Sequence, residues 1–275
     1  MTRYGYYPGC SLSSSGREYD MSCRAVCEAM DIELVELEDW NCCGASSAHA
    51  LDTDIDLALS ARTIHLCHRE GLEMVVPCAA CYSRTAHAWQ VMMDDMGRRK
   101  ELEDEFGFTF REDLHIYHLL QVIDKATESH VSIISSAAAD LGVKKVVCYY
   151  GCLINRPRGI NPHDDMENPQ TMERIVERYG YEPVPWSFAT ECCGAALSLT
   201  RDDVVTGLVE RIISAAREAG ADAIVTGCPL CQTNLESRQT ERFRVFYFTE
   251  LLGAALGIAD VADWWKMHLV DPTIQ

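Results

Sequence analysis

Cys42-Cys43-Gly44-Ala45 recurs as Cys192-Cys193-Gly194-Ala195, and Cys78-x-x-Cys81 recurs as Cys228-x-x-Cys231, both displaced by 150 positions. The step from Cys43 to Cys78 is 35 positions, and from Cys193 to Cys228 it is 35 again. Ahead of each block stands a matching turn, Tyr7-Pro8-Gly9-Cys10 and Tyr150-Gly151-Cys152. Cys10 to Cys42 spans 32 positions and Cys152 to Cys192 spans 40, so the second copy carries eight extra residues there. Chance produces a lone CxxC, but not a five-cysteine register repeated this closely. The chain reads as a tandem duplication, with modules at 1–140 and 141–275 and one five-cysteine site in each.

The local patterns agree between the copies. Tyr4–Tyr7 and Lys145–Tyr149 read as short strands that end at a glycine turn and a cysteine. Glu18–Met30 carries Met21, Cys23, Val26, Cys27 and Met30 at helical spacing. Ile32–Leu37 and Tyr181–Trp186 read as second strands leading into the CCG loops. Leu51–Glu70 and Val204–Ala219 read as crossover helices. Glu73–Val76 and Ala223–Thr226 read as apolar strands that run into each CxxC. Met92–Asp113 is densely charged and reads as a solvated helix or connector. Strand–helix alternation implies an α/β fold of two Rossmann-like modules with parallel sheets, related by a pseudo-two-fold axis. The cysteines then fall at the carboxyl ends of strands, where open α/β sheets place their sites.

Composition removes several classes of function. Of 275 residues, 24 are basic and 42 acidic, a net charge of −18. Such a surface cannot replace phosphate counterions, which excludes nucleic acid and disfavours anionic membranes. The apolar fraction of 48% excludes a disordered chain. No signal peptide follows Met1, and the apolar stretches Val131–Val143 and Leu251–Ala259 are too short or interrupted to span a bilayer. The expected location is the cytoplasm, where fourteen cysteines are not seven disulfides. No G-x-G-x-x-G, P-loop or C-x2-C-x2-C run is present, so no bound flavin, nicotinamide or ferredoxin-type cluster is expected.

The cysteines read as metal ligands. A structural zinc site takes four ligands, usually as two separated pairs. Each copy here offers five, two of them adjacent. Neighbouring side chains of an extended chain diverge, so Cys42 and Cys43 suit two irons of a larger cluster better than one small ion. Fully thiolate ligation likewise favours iron–sulfur chemistry. A zinc-stabilised assembly module without redox activity is the competing reading.

The doubled pattern resembles the CCG module of the heterodisulfide reductase B subunit family (HdrB) over nearly the whole chain. The likeness extends to Cys148-Tyr149-Tyr150-Gly151-Cys152 followed by Arg156-Pro157, to Cys228-Pro229-Leu230-Cys231-Gln232-Thr233-Asn234, and to Leu251-Leu252-Gly253-Ala254-Ala255-Leu256-Gly257. The resemblance implies two non-cubane 4Fe–4S clusters. Cys10, Cys42, Cys43, Cys78 and Cys81 would hold one, and Cys152, Cys192, Cys193, Cys228 and Cys231 the other. It implies a disulfide of the coenzyme M–coenzyme B type, clamped between the clusters and reduced to two thiols by one-electron steps. It implies electrons from a small ferredoxin-like partner of the same complex, fed by a flavin-containing one. HdrB relatives serve in thiol:fumarate reduction and sulfur oxidation as well as methanogenesis, so the alternative is a related component or electron relay without that activity.

The remaining candidates carry two readings each. Cys23, Cys27, Cys67 and Cys148 read as packing residues. His49 and His87 each follow a ligand by six residues, near enough to give a proton to a departing thiolate, or else are surface or capping histidines. Arg156 and Arg158 follow Cys152 and suit an anionic group of a thiol substrate or a structural role equally. His65, His68, His115 and His118 read as ordinary exposed positions.

Overall fold

The computed structural model describes residues 1–45, 48–128, 142–155 and 164–273. The 140/141 division and both Arg156 and Arg158 lie outside the described residues. In the first half the elements are β1 (Thr2–Tyr6), α1 (Gly9–Leu12), α2 (Arg17–Ala29), β2 (Ile32–Glu36), α3 (Ala48–Leu51), α4 (Thr53–Arg69), β3 (Met74–Val76), α5 (Ala79–Asp94), α6 (Met96–Phe106), β4 (Ile116–His118) and α7 (Leu119–Thr127). In the second they are β5 (Lys145–Tyr149), α8 (Thr171–Arg178), β6 (Glu182–Pro183), a 3-10 turn (Ala195–Leu197), α9 (Asp202–Glu218), β7 (Ala223–Thr226), α10 (Pro229–Arg238), β8 (Arg244–Tyr247), α11 (Phe248–Leu256) and α12 (Val261–Trp265).

Each half is an α/β unit with a four-stranded, all-parallel sheet, ordered β2-β1-β3-β4 and β6-β5-β7-β8. The chain reverses its winding direction between β1 and β3, and between β5 and β7. A crevice therefore opens beyond the carboxyl ends of those central strands. Cys10 and Cys78 follow one pair of strands, and Cys152 and Cys228 follow the other.

Several sequence expectations are corrected. β6 has two residues rather than the expected Tyr181–Trp186, because Pro183 and Pro185 offer no N–H to a ladder. The fourth strands, β4 and β8, lie in stretches that no periodicity marks. The apolar stripe of α2 runs through Tyr19, Ser22, Cys23, Val26 and Cys27, while Met21 is exposed. Met92–Asp113 is broken at Asp95, whose Oδ1 accepts from the amides of Gly97 and Arg98 at 2.9 and 3.0 Å and caps α6. That stretch is not wholly solvated, since Leu102 and Phe110 are buried.

The halves exchange helices across their seam: α2 packs on α11, and α7 packs on α8. These are corresponding elements in swapped roles, as a pseudo-two-fold relation requires. Tyr19 and Tyr247 stack across it with ring centroids 4.1 Å apart and planes 2° from parallel. Ser22 Oγ and Thr249 Oγ1 share a buried hydrogen bond of 2.7 Å, and Arg174 pairs with Asp124 at 2.7 Å.

Beside the stack, His268 lies fully buried between Glu236 and Glu250, at 2.6 and 2.9 Å. Burial alone would lower its pKa, but the Glu250 and Glu236 carboxylates outweigh it and hold the imidazole up to about 11. Glu18, raised to about 7 mainly by burial, faces the same cluster. Both groups bind protons more tightly when folded. The His268 stabilisation is complete below its ordinary value of 6.5 and is lost as pH rises towards about 11. The unfolding midpoint in denaturant should therefore fall between pH 7 and pH 10, and His268→Gln should flatten that slope. A wild-type midpoint that rises over this range would contradict the assignment.

Candidate metal centre

Two glycines bring backbone and sulfur together at equivalent places. Gly9 and Gly151 follow the central strands in the left-handed region, with φ +71° and +64°. A Cβ on Gly9 would lie 2.8 Å from Cys81 Sγ, and one on Gly151 would lie 2.9 Å from Cys231 Sγ. Only glycine meets both demands, the positive φ and the close approach. The turn then carries Cys10 and Cys152 to the mouth of the crevice.

The CCG loops repeat the device. Gly44 and Gly194 have φ of +76° and +80°. Their amides donate to Cys42 Sγ at 3.5 Å and Cys192 Sγ at 3.3 Å. In the first half, Asn41 ties the loop to α4 by donating to the Leu59 carbonyl at 3.0 Å. In the second, Asn234 Nδ2 donates to the Cys193 carbonyl at 2.6 Å.

The CxxC cysteines begin helices. Cys78 caps α5 and Cys228 caps α10, with Cys81 and Cys231 in the first turns. Helix amides and the positive end of the dipole act on these sulfurs. Yet only Cys228 is lowered, while Cys78, Cys81 and Cys231 are raised, chiefly by the hydrogen bonds they give to neighbouring cysteines. All fourteen cysteines are free.

The ten thiols of the repeat pair in matching fashion. Cys42–Cys10 and Cys192–Cys152 contact at 3.9 and 3.8 Å, and Cys43–Cys81 and Cys193–Cys231 at 3.3 and 3.6 Å. These are van der Waals separations, far beyond the ~2.0 Å of a disulfide. Cys78 and Cys228 meet across the seam, so the two sets adjoin there. Cys43, Cys78, Cys81, Cys193, Cys228 and Cys231 are buried, whereas Cys10, Cys42 and Cys192 are exposed.

In the Cys43–Cys81, Cys152–Cys192, Cys193–Cys231 and Cys78–Cys228 contacts one sulfur is favoured as the anion. Hydrogen bonds from Cys42 and Cys81, helped by the Ala45 amide and the Arg84 guanidinium, bring Cys43 down to about 3. Cys42 and Cys81, which give those hydrogen bonds, are raised. The Cys152 thiol and the Gly194 amide lower Cys192 to about 6. Cys193 is lowered by Cys231, and Cys228 by Cys231 and Cys78. Among the described residues, no three His, Cys, Asp or Glu side chains converge as a site for one metal ion.

Two tyrosines beside the thiols escaped the sequence reading. Tyr7 Oη donates to the Asn41 carbonyl and Tyr149 Oη to the Glu191 carbonyl, both at 2.7 Å. Each acceptor precedes a CCG pair. Trp40 and Trp186 meet these rings edge-on, with centroids 5.6 and 6.2 Å apart. Burial, then the neighbouring cysteines, raises both phenols, which stay protonated. The signal was present as Tyr-x-Gly-Cys in both copies, which pairs Tyr7 with Tyr149 rather than Tyr150. Tyr150 turns away to Glu173.

The other candidates fall as follows. His87 is exposed on α5, six residues past Cys81 and so about 9 Å along the helix axis. His49 lies on α3, its side chain outside the described set. Cys23, Cys27, Cys67 and Cys148 are all buried in the core, and burial raises each thiol. His68 and His118 are buried rather than exposed. His118 closes β4 at the seam, where Nδ1 accepts from the Leu120 amide at 3.2 Å. A Cβ on Gly227 would meet its ring at 3.3 Å.

Comparison with known proteins agrees with this doubled arrangement. The chain is 28% identical to the membrane anchor component of the 8-methylmenaquinol:fumarate reductase of Wolinella succinogenes, covering 98% of each. It is 25% identical to the B subunit of a ferredoxin/F(420)H(2)-dependent CoB-CoM heterodisulfide reductase of Methanosarcina acetivorans, over 94% of this chain and 91% of that one. An Archaeoglobus profundus protein named as like the B subunit of heterodisulfide reductase is 26% identical over 89% of this chain and 84% of its own length. The crystal structure of a hypothetical protein from Helicobacter pylori shares the fold, with TM-score 0.77 at 10% identity. It aligns with 98% of this chain, which spans about half (52%) of that structure's length. Among the described residues, no helix is long and apolar enough to cross a membrane. The cysteine-rich CCG domain matches residues 4–84 and again 146–236, and the chain belongs to that family, carrying the domain twice.

Proposed function

We propose that the chain is the disulfide-reducing component of a larger redox complex, holding one non-cubane 4Fe–4S cluster in each half. The observation that carries this reading is the doubled five-thiol set, whose halves meet through Cys78 and Cys228. Cys10, Cys42, Cys43, Cys78 and Cys81 would hold one cluster, and Cys152, Cys192, Cys193, Cys228 and Cys231 the other. The donors suit the group. They are free thiols, with Cys43, Cys192, Cys193 and Cys228 favoured as thiolate, that do not converge on one point among the described residues. Glycine lets the backbone approach sulfur closely at Gly9 and Gly151. When bound, iron–sulfur clusters supply electrons singly. The chain's own part is to hold thiolate, to offer the Gly44 and Gly194 amides to it, and to keep the Tyr7 and Tyr149 hydroxyls tied to the loops.

A disulfide has two sulfurs and takes two electrons, which matches two equivalent thiol sets that meet at the seam. Relatives named as heterodisulfide reductase subunits support this class of reaction. They also support assembly into a larger complex, and we take its electron-delivering partners to be of the ferredoxin-like and flavin-containing kinds. Exposed Leu51, Ile55, Leu197 and Leu199 follow the two CCG loops and offer such a partner an apolar rim. Fourteen free thiols suit the reducing cytoplasm.

The 28% identity to a component of a fumarate reductase favours a second reading, an electron relay without disulfide chemistry. Anaerobic protein with reduced viologen separates the two. We expect the coenzyme M–coenzyme B heterodisulfide, or a simpler mixed disulfide, to be reduced to two thiols. Viologen-reducible protein that turns over no disulfide would favour the relay.

A further inference from the structure

Arg84 distinguishes the two otherwise matched sites. It lies one helical turn beyond Cys81 on α5, on the same face by its i+3 spacing. Its Nη1 meets Asp56 Oδ2 at 3.3 Å, a long single contact where a guanidinium and a carboxylate could make two short ones. The second atom of each is left over: Arg84 Nε and Asp56 Oδ1 are both buried without a hydrogen-bond partner among the described residues. The pair is therefore loosely joined, and the guanidinium charge also reaches the Cys43 sulfur.

At the equivalent place, three residues past Cys231, stands neutral Asn234. Its polar atoms are committed, to the Cys193 carbonyl at 2.6 Å, Ser198 Oγ at 2.9 Å and Arg238 Nη1 at 2.8 Å. Arg238, a turn further on, is engaged by Asp202 at 3.1 Å and the Ser198 carbonyl at 3.0 Å.

We propose that Arg84 is a positioning residue that sets the reduction potential of the N-terminal site, through a partly buried positive charge absent from the equivalent position in the C-terminal half. The proposal rests on the cluster reading above. Reduction adds negative charge to a cluster, so a nearby cation favours the reduced form and raises the potential. Asp56 tempers that cation.

The test is a potentiometric titration of the full holoprotein followed by electron paramagnetic resonance. Arg84→Gln should move one of the two reduction transitions to lower potential and leave the other in place. Arg84→Lys should restore it towards wild type. Asp56→Asn, which frees the guanidinium of its counter-charge, should move the same transition the opposite way. Opposite shifts from the two neutralising variants are what a merely structural role would not give. Both transitions unmoved, both moved together, or shifts of one sign in the two variants would overturn the assignment. Wild-type protein with no iron or sulfide would instead overturn the cluster reading, and this inference with it.

Discussion

Gly9→Ala and Gly151→Ala should each yield a chain that retains about half of the wild-type iron and sulfide, each variant losing a different site. Each new methyl carries two penalties. The positive φ of +71° or +64° strains any L side chain. The methyl would also sit 2.8 Å from Cys81 Sγ or 2.9 Å from Cys231 Sγ, against a sulfur fixed in the first turn of a buried helix. The helix cannot yield without moving Cys78 or Cys228, so the sulfur must leave its place. Combining both substitutions should remove nearly all the iron. Iron analysis with the visible spectrum reads the outcome. Full iron content in both single variants would mean that the close approach has no bearing on the sites.

Tyr247→Ala should cost about 3–5 kcal/mol, the range for emptying a large buried aromatic site. The ring is fully buried, stacks on Tyr19 at 4.1 Å, and its hydroxyl reaches Gln232 Oε1 at 3.2 Å. Tyr19 in turn bonds the carbonyls of Pro77 and Gly227 at 3.3 and 3.2 Å, each just before the first cysteine of a CxxC. Losing the stack therefore loosens the seam where Cys78 and Cys228 meet. Tyr247→Phe keeps the ring and should cost only ~1 kcal/mol, the size of one hydrogen bond. Anaerobic denaturation midpoints of the two variants measure this directly. Equal losses would locate the stabilisation in the hydroxyl rather than in the stack.

What was legible in the sequence was what the chain encodes locally. The five-cysteine register, the strands before Cys10, Cys78 and Cys228, and the crossover helices all lie within short spans of spacing and apolar period. The fold class followed because strand–helix alternation leaves a parallel sheet as the ready arrangement. What escaped depends on contacts between distant residues. The three residues of β4 are too few to show a period, so His118 at its end read as exposed although it is buried. Glu236, His268 and Glu250 are spread over the C-terminal part of the chain and form a cluster only once α10 and α11 are packed. Glu18 joins them from the other half. Tyr7 and Tyr149 were visible as letters, but their hydroxyls acquire a role only when the CCG loop folds back over the preceding strand.

The central claim is that two five-thiol sites each hold an iron–sulfur cluster. Iron, zinc and acid-labile sulfide, measured per chain on protein purified without oxygen, test it most directly. We predict about eight irons with a matching amount of sulfide, two four-iron clusters in all. One zinc per half with no sulfide would contradict it.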